Sequence, residues 1–135
     1  MTSITRQYRF SASHRLHSAA LDEQANREVY GKCNNPYGHG HDYILRITAT
    51  GETDPDTGLV CPLPALDALV EHEVLRHIRD RHLNDWDAFG PLVPTTESLA
   101  TVIHRRLAAE WSGPRLTAVQ VLETRRNSAE SRDAN

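Results

Sequence analysis

Cysteine is scarce in this chain: 135 residues carry only Cys33 and Cys61. Two cysteines make no disulfide framework, and a cytosolic chain argues against a bridge between them. Charge of one sign is not concentrated either. Lys+Arg of 15 against Asp+Glu of 18 gives a net charge of -3, and no stretch is a basic run. That speaks against nucleic acid as a partner. There is no long apolar run of the kind that spans a membrane, and Met1-Thr2-Ser3-Ile4 has neither the charged nor the apolar region of a signal peptide. Internal repeats and low-complexity tracts are absent. These absences lead us to expect a cytoplasmic protein without membrane or nucleic-acid partners, folded as a single domain over residues 1–135 with enough chain to bury a core.

Histidine, by contrast, is plentiful, with 8 in the chain. Two stand as His39-Gly40-His41, a third closes Phe10-Ser11-Ala12-Ser13-His14, and Cys33 lies six residues before His39. Three neutral imidazoles with an open fourth position suit catalytic zinc, whereas structural zinc normally has four protein ligands. Surface histidines are common, so the argument rests on the trio and its glycine-rich flank. His17, His72, His77, His82 and His104 lack such pairing and read as surface residues.

Periodicity supplies the elements. Ile4 to His14 reads as a strand with Tyr8, Phe10, Ala12 and His14 on one face. Residues 18–38 form a long polar, turn-rich connection of the kind that carries function. Tyr43 to Thr50 is a second strand, and its register carries back to His39 and His41. A helix from Pro62 to about His82 is predicted by the stripe Leu63, Leu66, Val70, Val74, Ile78. A second helix, capped by Thr95, runs through Leu99, Val102, Ile103 and Leu107 to Gly113-Pro114. Leu116 to Glu123 is a third strand and Asn127–Ser131 a weak edge strand. The order β-β-α-α-β-β gives an α+β fold, with both helices on one face of a four-stranded antiparallel sheet. Open edges in so small a sheet favour assembly into an oligomer.

Three further residue sets can be read two ways. Cys33 is either a solvated or packed thiol, or a thiolate lowered by a nearby cation that moves protons at a substrate carbon. Glu123 is either a strand-end charge in water or, by its register with Val119 and Val121, an inward carboxylate that needs a partner. Thr95, Thr96 and Glu97 read as a helix cap, and spacing alone says no more. Cys61, in Leu59-Val60-Cys61-Pro62, reads as a small buried apolar residue.

Several blocks together resemble the 6-pyruvoyl-tetrahydropterin synthase family, which includes the 6-carboxy-tetrahydropterin synthases. They are Phe10-Ser11-Ala12-Ser13-His14-Arg15-Leu16, the run from Gly31 through Cys33 to His41, Gly51-Glu52-Thr53-Asp54-Pro55-Asp56-Thr57-Gly58, Thr95-Thr96-Glu97 and Val121-Leu122-Glu123-Thr124. The resemblance is colinear from about residue 5 to 130, and the Cys-x5-His-Gly-His spacing looks like the pyruvoyl branch. It implies a T-fold subunit (ββααββ) that assembles through its sheets into barrel-like trimers, usually paired into hexamers, with active sites between subunits. It also implies zinc on His14, His39 and His41, a catalytic thiol at Cys33, and a small-molecule pterin held by Glu123 with Thr95, Thr96 and Glu97 alongside. The reaction implied is removal of triphosphate from 7,8-dihydroneopterin triphosphate with rearrangement of its side chain.

One segment departs from the family pattern. Members normally carry an Asp-His pair just before a Leu-Asn or Leu-Asp, which works opposite the cysteine. Here the segment reads Ile78-Arg79-Asp80-Arg81-His82-Leu83-Asn84. Anchoring on Leu83-Asn84 places Arg79 and Asp80 at the Asp and His positions. Asp80 takes over proton transfer, or Asp80 and His82 form a displaced pair, or the protein binds a pterin without completing the reaction. On a continuous helix, residues two apart lie on different faces, which counts against the displaced pair.

Overall fold

The computed structural model describes residues 1–133, so the last two residues of the expected 1–135 domain lie outside it. Strand β1 (Thr2–His14) pairs antiparallel with β2 (His39–Gly51) along their whole lengths, from Thr2 opposite Gly51 to His14 opposite His39. On β1, Phe10, Ala12 and His14 are buried while Arg9 and Ser11 are exposed, the alternation expected of a half-covered sheet. Helix α1 (Glu23–Tyr30) follows β1. Helices α2 (Leu63–Val70) and α3 (Arg76–Ile78) are joined by a π turn, Glu71–Leu75. After the short strand β3 (Arg81–His82) come helix α4 (Thr96–Glu110) and strands β4 (Arg115–Leu122) and β5 (Ser128–Arg132). The sheet order is β3-β1-β2-β4-β5.

One apolar cluster joins the sheet to the helices. Tyr43, Leu45, Ile47 and Val119 from the sheet meet Leu66, Val70, Ile78, Leu99 and Leu107 from α2, α3 and α4. Burial of these side chains is the main favourable term in the fold. Asp67 on α2 fastens the helix to the sheet, accepting from Arg6 Nε (3.0 Å), Arg6 Nη2 (2.8 Å) and the Tyr8 hydroxyl (2.7 Å). These donors hold the Asp67 carboxyl below the ordinary carboxylate range. Cys61 is buried as expected.

Four sequence readings need correction. The connection 18–38 is not irregular throughout, because it contains α1. Asp22 caps that helix by accepting from Ala25 N (2.7 Å), and buried Asn26 donates to the carbonyls of Ser18, Leu21 and Asp22. The helix expected to reach His82 ends at Ile78. Asp80 adopts a left-handed φ of 58°, which aspartate tolerates. Its N–H then bonds Ser11 O (2.7 Å), starting a parallel pairing of Arg81 and His82 with Ala12 and Ser13. The sheet therefore has five strands, one pairing of them parallel. His104 is not a surface residue. It is buried and bridges the Ser131 hydroxyl and the Leu116 carbonyl, each at 2.9 Å, tying α4 to β4 and β5.

Candidate active site

The end of β1 and the start of β2 carry the histidines. Because Ala12 lies opposite His41 and His14 opposite His39, all three rings project from the same sheet face. The rings of His14 and His41 are 5.0 Å apart, and those of His39 and His41 4.8 Å apart. Cys33 enters from a 3-10 turn, Gly31–Asn34, and Glu123 from just beyond β4. One ligand atom each from His14, Cys33, His41 and Glu123 lie within 4.8 Å of one another. His39 stands beside this group, on its exposed side. Only glycine fits at Gly38, where φ is 82° and a Cβ would come within 3.0 Å of His14 O and of His82 Cε1.

The tautomer of His14 follows from its surroundings. Its Nδ1 lies 2.9 Å from the Pro94 carbonyl, which can only accept, so Nδ1 carries the proton. Nε2 then presents a lone pair, is fully buried, and has no hydrogen-bond partner. A buried unpartnered nitrogen aimed into a His, Cys and Glu cluster is the signature of a metal ligand, with Pro94 as the group that orients it. Burial lowers the pKa of both His14 and His41, which keeps both rings neutral, as ligation requires. This donor set fits zinc.

Glu123 faces inward, as its register indicated. Its side chain is 9 % exposed, Oε1 lies 3.5 Å from His41 Nε2, and Oε2 accepts a short hydrogen bond from the Thr96 hydroxyl. Thr95 is the cap of α4 and accepts from Ser98 N (3.1 Å). Thr95, Thr96, Glu97, Cys33 and Glu123 all line one cavity of about 810 Å3, which Tyr30 also borders. Every residue expected to touch a pterin thus lies on one cavity wall.

Cys33 Sγ is 3.9 Å from His41 Nε2. Among the described residues no cation lowers its pKa as expected. Burial and, secondarily, the Glu123 charge push the thiol up. A metal ion in the cluster would be the one large positive charge able to reverse that.

Asp80 and His82 lie outside the Glu123 cavity but adjoin the histidine strand. Both line a second cavity of about 530 Å3 together with Ser11, Ser13, Asp42 and the metal-ligand candidate His41. His82 Nδ1 lies 2.9 Å from the Ser13 hydroxyl. Because the helix ends at Ile78, the facing argument against a displaced Asp80–His82 pair no longer holds. Arg79 is committed to Glu71 through two hydrogen bonds of 2.8 Å at the surface. Strand β3 is one sheet edge and β5 the other, so Asp80 and His82 approach His41 from the β1 side and Glu123 from the β4 side.

Comparison with known proteins agrees with this arrangement. The family model described as 6-pyruvoyl tetrahydropterin synthase matches residues 3–134. The chain belongs to the 6-pyruvoyl tetrahydropterin synthase family. It is 42 % identical over 125 residues to 6-pyruvoyl tetrahydrobiopterin synthase of Poecilia reticulata, covering 92 % of this chain and 85 % of that one. The corresponding protein of Homo sapiens is 39 % identical, with 92 % and 86 % covered. The solved structure of Caenorhabditis elegans 6-pyruvoyl tetrahydropterin synthase superposes with a TM-score of 0.92 at 36 % identity, covering 98 % of this chain and 96 % of that one. Membership of the 6-pyruvoyl tetrahydropterin synthase family carries the T-fold with it. It also makes lyase chemistry on a pterin the coarse activity.

Sequence reasoning missed the supporting groups. The Pro94 carbonyl that sets His14, and Asn34, which donates to Leu16 O (2.7 Å) and His17 Nδ1 (3.2 Å), carry no periodic signal. For α1, the signal available was Asp22 followed by Glu23, a cap with an acidic first turn.

Proposed function

We propose that this chain is a zinc-dependent lyase of the 6-pyruvoyl-tetrahydropterin synthase type, acting on 7,8-dihydroneopterin triphosphate. The observation that carries the reading is the buried, unpartnered Nε2 of His14 beside Cys33, His41 and Glu123 at the wall of a cavity large enough for a bicyclic ring. His14, His39 and His41 would hold zinc, with His39 completing the set from its exposed side. When bound, zinc acts as a Lewis acid toward the substrate's side-chain oxygens and acidifies the neighbouring C–H. Glu123, fixed by Thr96, accepts hydrogen bonds from the aminopyrimidine edge, and Thr95 and Glu97 border the ring. Cys33 faces the side chain and moves a proton at carbon. Removal of a proton next to the carbon bearing the triphosphate oxygen leaves an electron pair that forms a C=C bond as the C–O bond breaks and triphosphate departs.

The β3 edge supplies the second acid/base, from Asp80, from His82, or from both. Sheet edges left open at β3 and β5 are met by other copies, so the working form is a trimer or hexamer with sites between subunits. Among the described residues no helix is long and apolar enough to cross a membrane. A second reading, a pterin binder without turnover, draws on the exposure of Asp80 and the commitment of Arg79 to Glu71. Anaerobic incubation of zinc-loaded protein with 7,8-dihydroneopterin triphosphate, products resolved by mass spectrometry and Cys33→Ala as control, separates the two. A Cys33-dependent 6-pyruvoyl product supports the proposal, and a 6-carboxy or 6-hydroxymethyl product moves the chain to another branch. Intact substrate from protein that binds it favours the binder.

A further inference from the structure

Beside the cluster lies a second cleft, of about 520 Å3, whose walls include Arg15, His17, Arg27, Lys32 and His39, with Glu23 the one acidic residue. In a chain of net charge -3 this is a local concentration of cations. Among the described residues none of Arg15, Arg27 and Lys32 pairs with a carboxylate, so three unneutralised cations share one cleft.

The cleft is also prearranged. The Arg15 backbone is clamped by Asn84, which accepts from Arg15 N and donates to Arg15 O, each at 2.8 Å. Arg15 Nε donates to Asn34 O at 3.4 Å, which leaves the terminal nitrogens of the guanidinium uncommitted. Buried Asn34 donates to Leu16 O, which fixes its amide, and the same nitrogen faces His17 Nδ1. His17 Nδ1 is therefore an acceptor, and its proton sits on Nε2 as a donor. Donors without acceptors, in a walled cleft, concentrate an anion.

Position relates the cleft to the cluster. Two chain segments divide it from the cavity that holds Glu123, and they are joined by Leu16 N donating to Cys33 O at 2.7 Å. Along both segments the side chains alternate. Arg15, His17, Lys32 and Asn34 line the basic cleft, while Leu16 and Cys33 line the Glu123 cavity. His39 belongs to the basic side and stands 4.8 Å, ring to ring, from His41. A molecule whose ring lies against Glu123 and whose side chain passes Cys33 and His41 has its far end directed past His39 into the cleft.

From this we infer that Arg15, Arg27 and Lys32, with the His17 Nε2–H, form the subsite for the substrate's oligophosphate, and that this cleft selects for a phosphorylated pterin over the free side-chain alcohol. The inference rests on the proposed function for the identity of the ring, but the anion site is testable without turnover. Inorganic tripolyphosphate is titrated calorimetrically into zinc-loaded wild-type protein and into Arg27→Ala/Lys32→Ala, both surface positions. Arg105→Ala serves as a charge control and zinc content is measured after each titration. Unphosphorylated neopterin is titrated in parallel. The expected result is a loss of tripolyphosphate affinity of at least ~10-fold in the double variant only, with neopterin affinity within about 2-fold and zinc retained. With 7,8-dihydroneopterin triphosphate the KM rises by a similar factor while kcat holds. Equal tripolyphosphate affinity in all three proteins, or a parallel loss of neopterin binding, overturns the subsite. Tripolyphosphate binding lost in the double variant, with no product from the triphosphate substrate in any protein, keeps the subsite and removes the proposed reaction. Turnover with a KM indifferent to both substitutions does the reverse.

Discussion

The two edges of this sheet are built differently. Near the β4–β5 edge, Glu123 is held by Thr96, faces His41, and shares a cavity with Cys33 and the cap of α4. Glu123 is oriented by Thr96, Thr95 contacts Ser98, and His14 is set by Pro94 before any ligand arrives. At the β3 edge, the Asp80 side chain is exposed on a left-handed backbone held by Ser11 O, Arg79 is tied to Glu71, and His82 contacts Ser13. The first region holds the proposed binding residues in a prearranged form. The second carries Arg79-Asp80 where the resemblance leads one to expect an Asp-His pair, and its carboxylate is less closely held. On the proposed function, ring binding and metal holding should therefore be separable from the second proton transfer. Prearrangement would account for that separation, because a site fixed by its own packing tolerates change in a neighbouring segment.

Breaking the ordered region should have the largest effects. His39→Ala or His41→Ala should remove zinc and lower turnover by at least ~10^3-fold, read by metal analysis alongside product formation. Full zinc occupancy in either variant would remove that residue from the ligand set. Cys33→Ala should keep neopterin affinity within about 3-fold while turnover falls ~10^2-fold or more, since the thiol moves a proton rather than holding the ring. Glu123→Gln should weaken neopterin binding by about 10-fold or more through loss of a charge-assisted pair, and unchanged affinity in a titration would place the ring elsewhere. At the β3 edge the effects should be smaller and confined to kcat. Asp80→Asn and His82→Gln should each leave neopterin affinity unchanged, and the one that lowers kcat identifies the acid/base.

The smallest effect concerns the frame. Asp67 has a folded pKa below its unfolded value, so its contribution is present above the unfolded pKa and is lost as pH falls through the folded one. Because Asp67 and Arg6 are each more than a third exposed, Asp67→Asn should cost only about 1 kcal/mol at neutral pH. Thermal melts at neutral pH and below pH 3 should show that difference shrink on acidification.

How far the sequence carried depends on the type of signal. Period-two alternation in β1, β2 and β4 was legible because one face is buried and the other wet, and it placed Glu123 and the three histidines on the covered side. The Leu66, Val70, Val74, Ile78 stripe was legible as a helix but not as a π turn. A strict four-residue spacing drifts by about 40° per step on an α-helix, and the wider turn at Glu71–Leu75 takes up that drift. The end of that helix was misread because nothing in Arg79-Asp80-Arg81 marks a stop. The stop comes from Ser11 accepting the Asp80 N–H, a contact distant in sequence. Helix α1 and the Arg15–Asn34–His17 arrangement depend on buried asparagines, whose partners are backbone carbonyls that no pattern encodes.

The claim that the binding region is intact and the proton-transfer edge altered is tested most directly by restoring the family's pair. The double variant Arg79→Asp/Asp80→His is compared with wild type for neopterin affinity, zinc content and kcat on 7,8-dihydroneopterin triphosphate. Histidine tolerates the left-handed backbone at position 80, so the segment can keep its course. The account predicts unchanged affinity and zinc with kcat raised at least ~10-fold, because an imidazole titrates near neutrality and a carboxylate does not. A kcat that stays level or falls with the fold retained would contradict it, and would show that the native Arg79-Asp80 segment is already matched to its reaction.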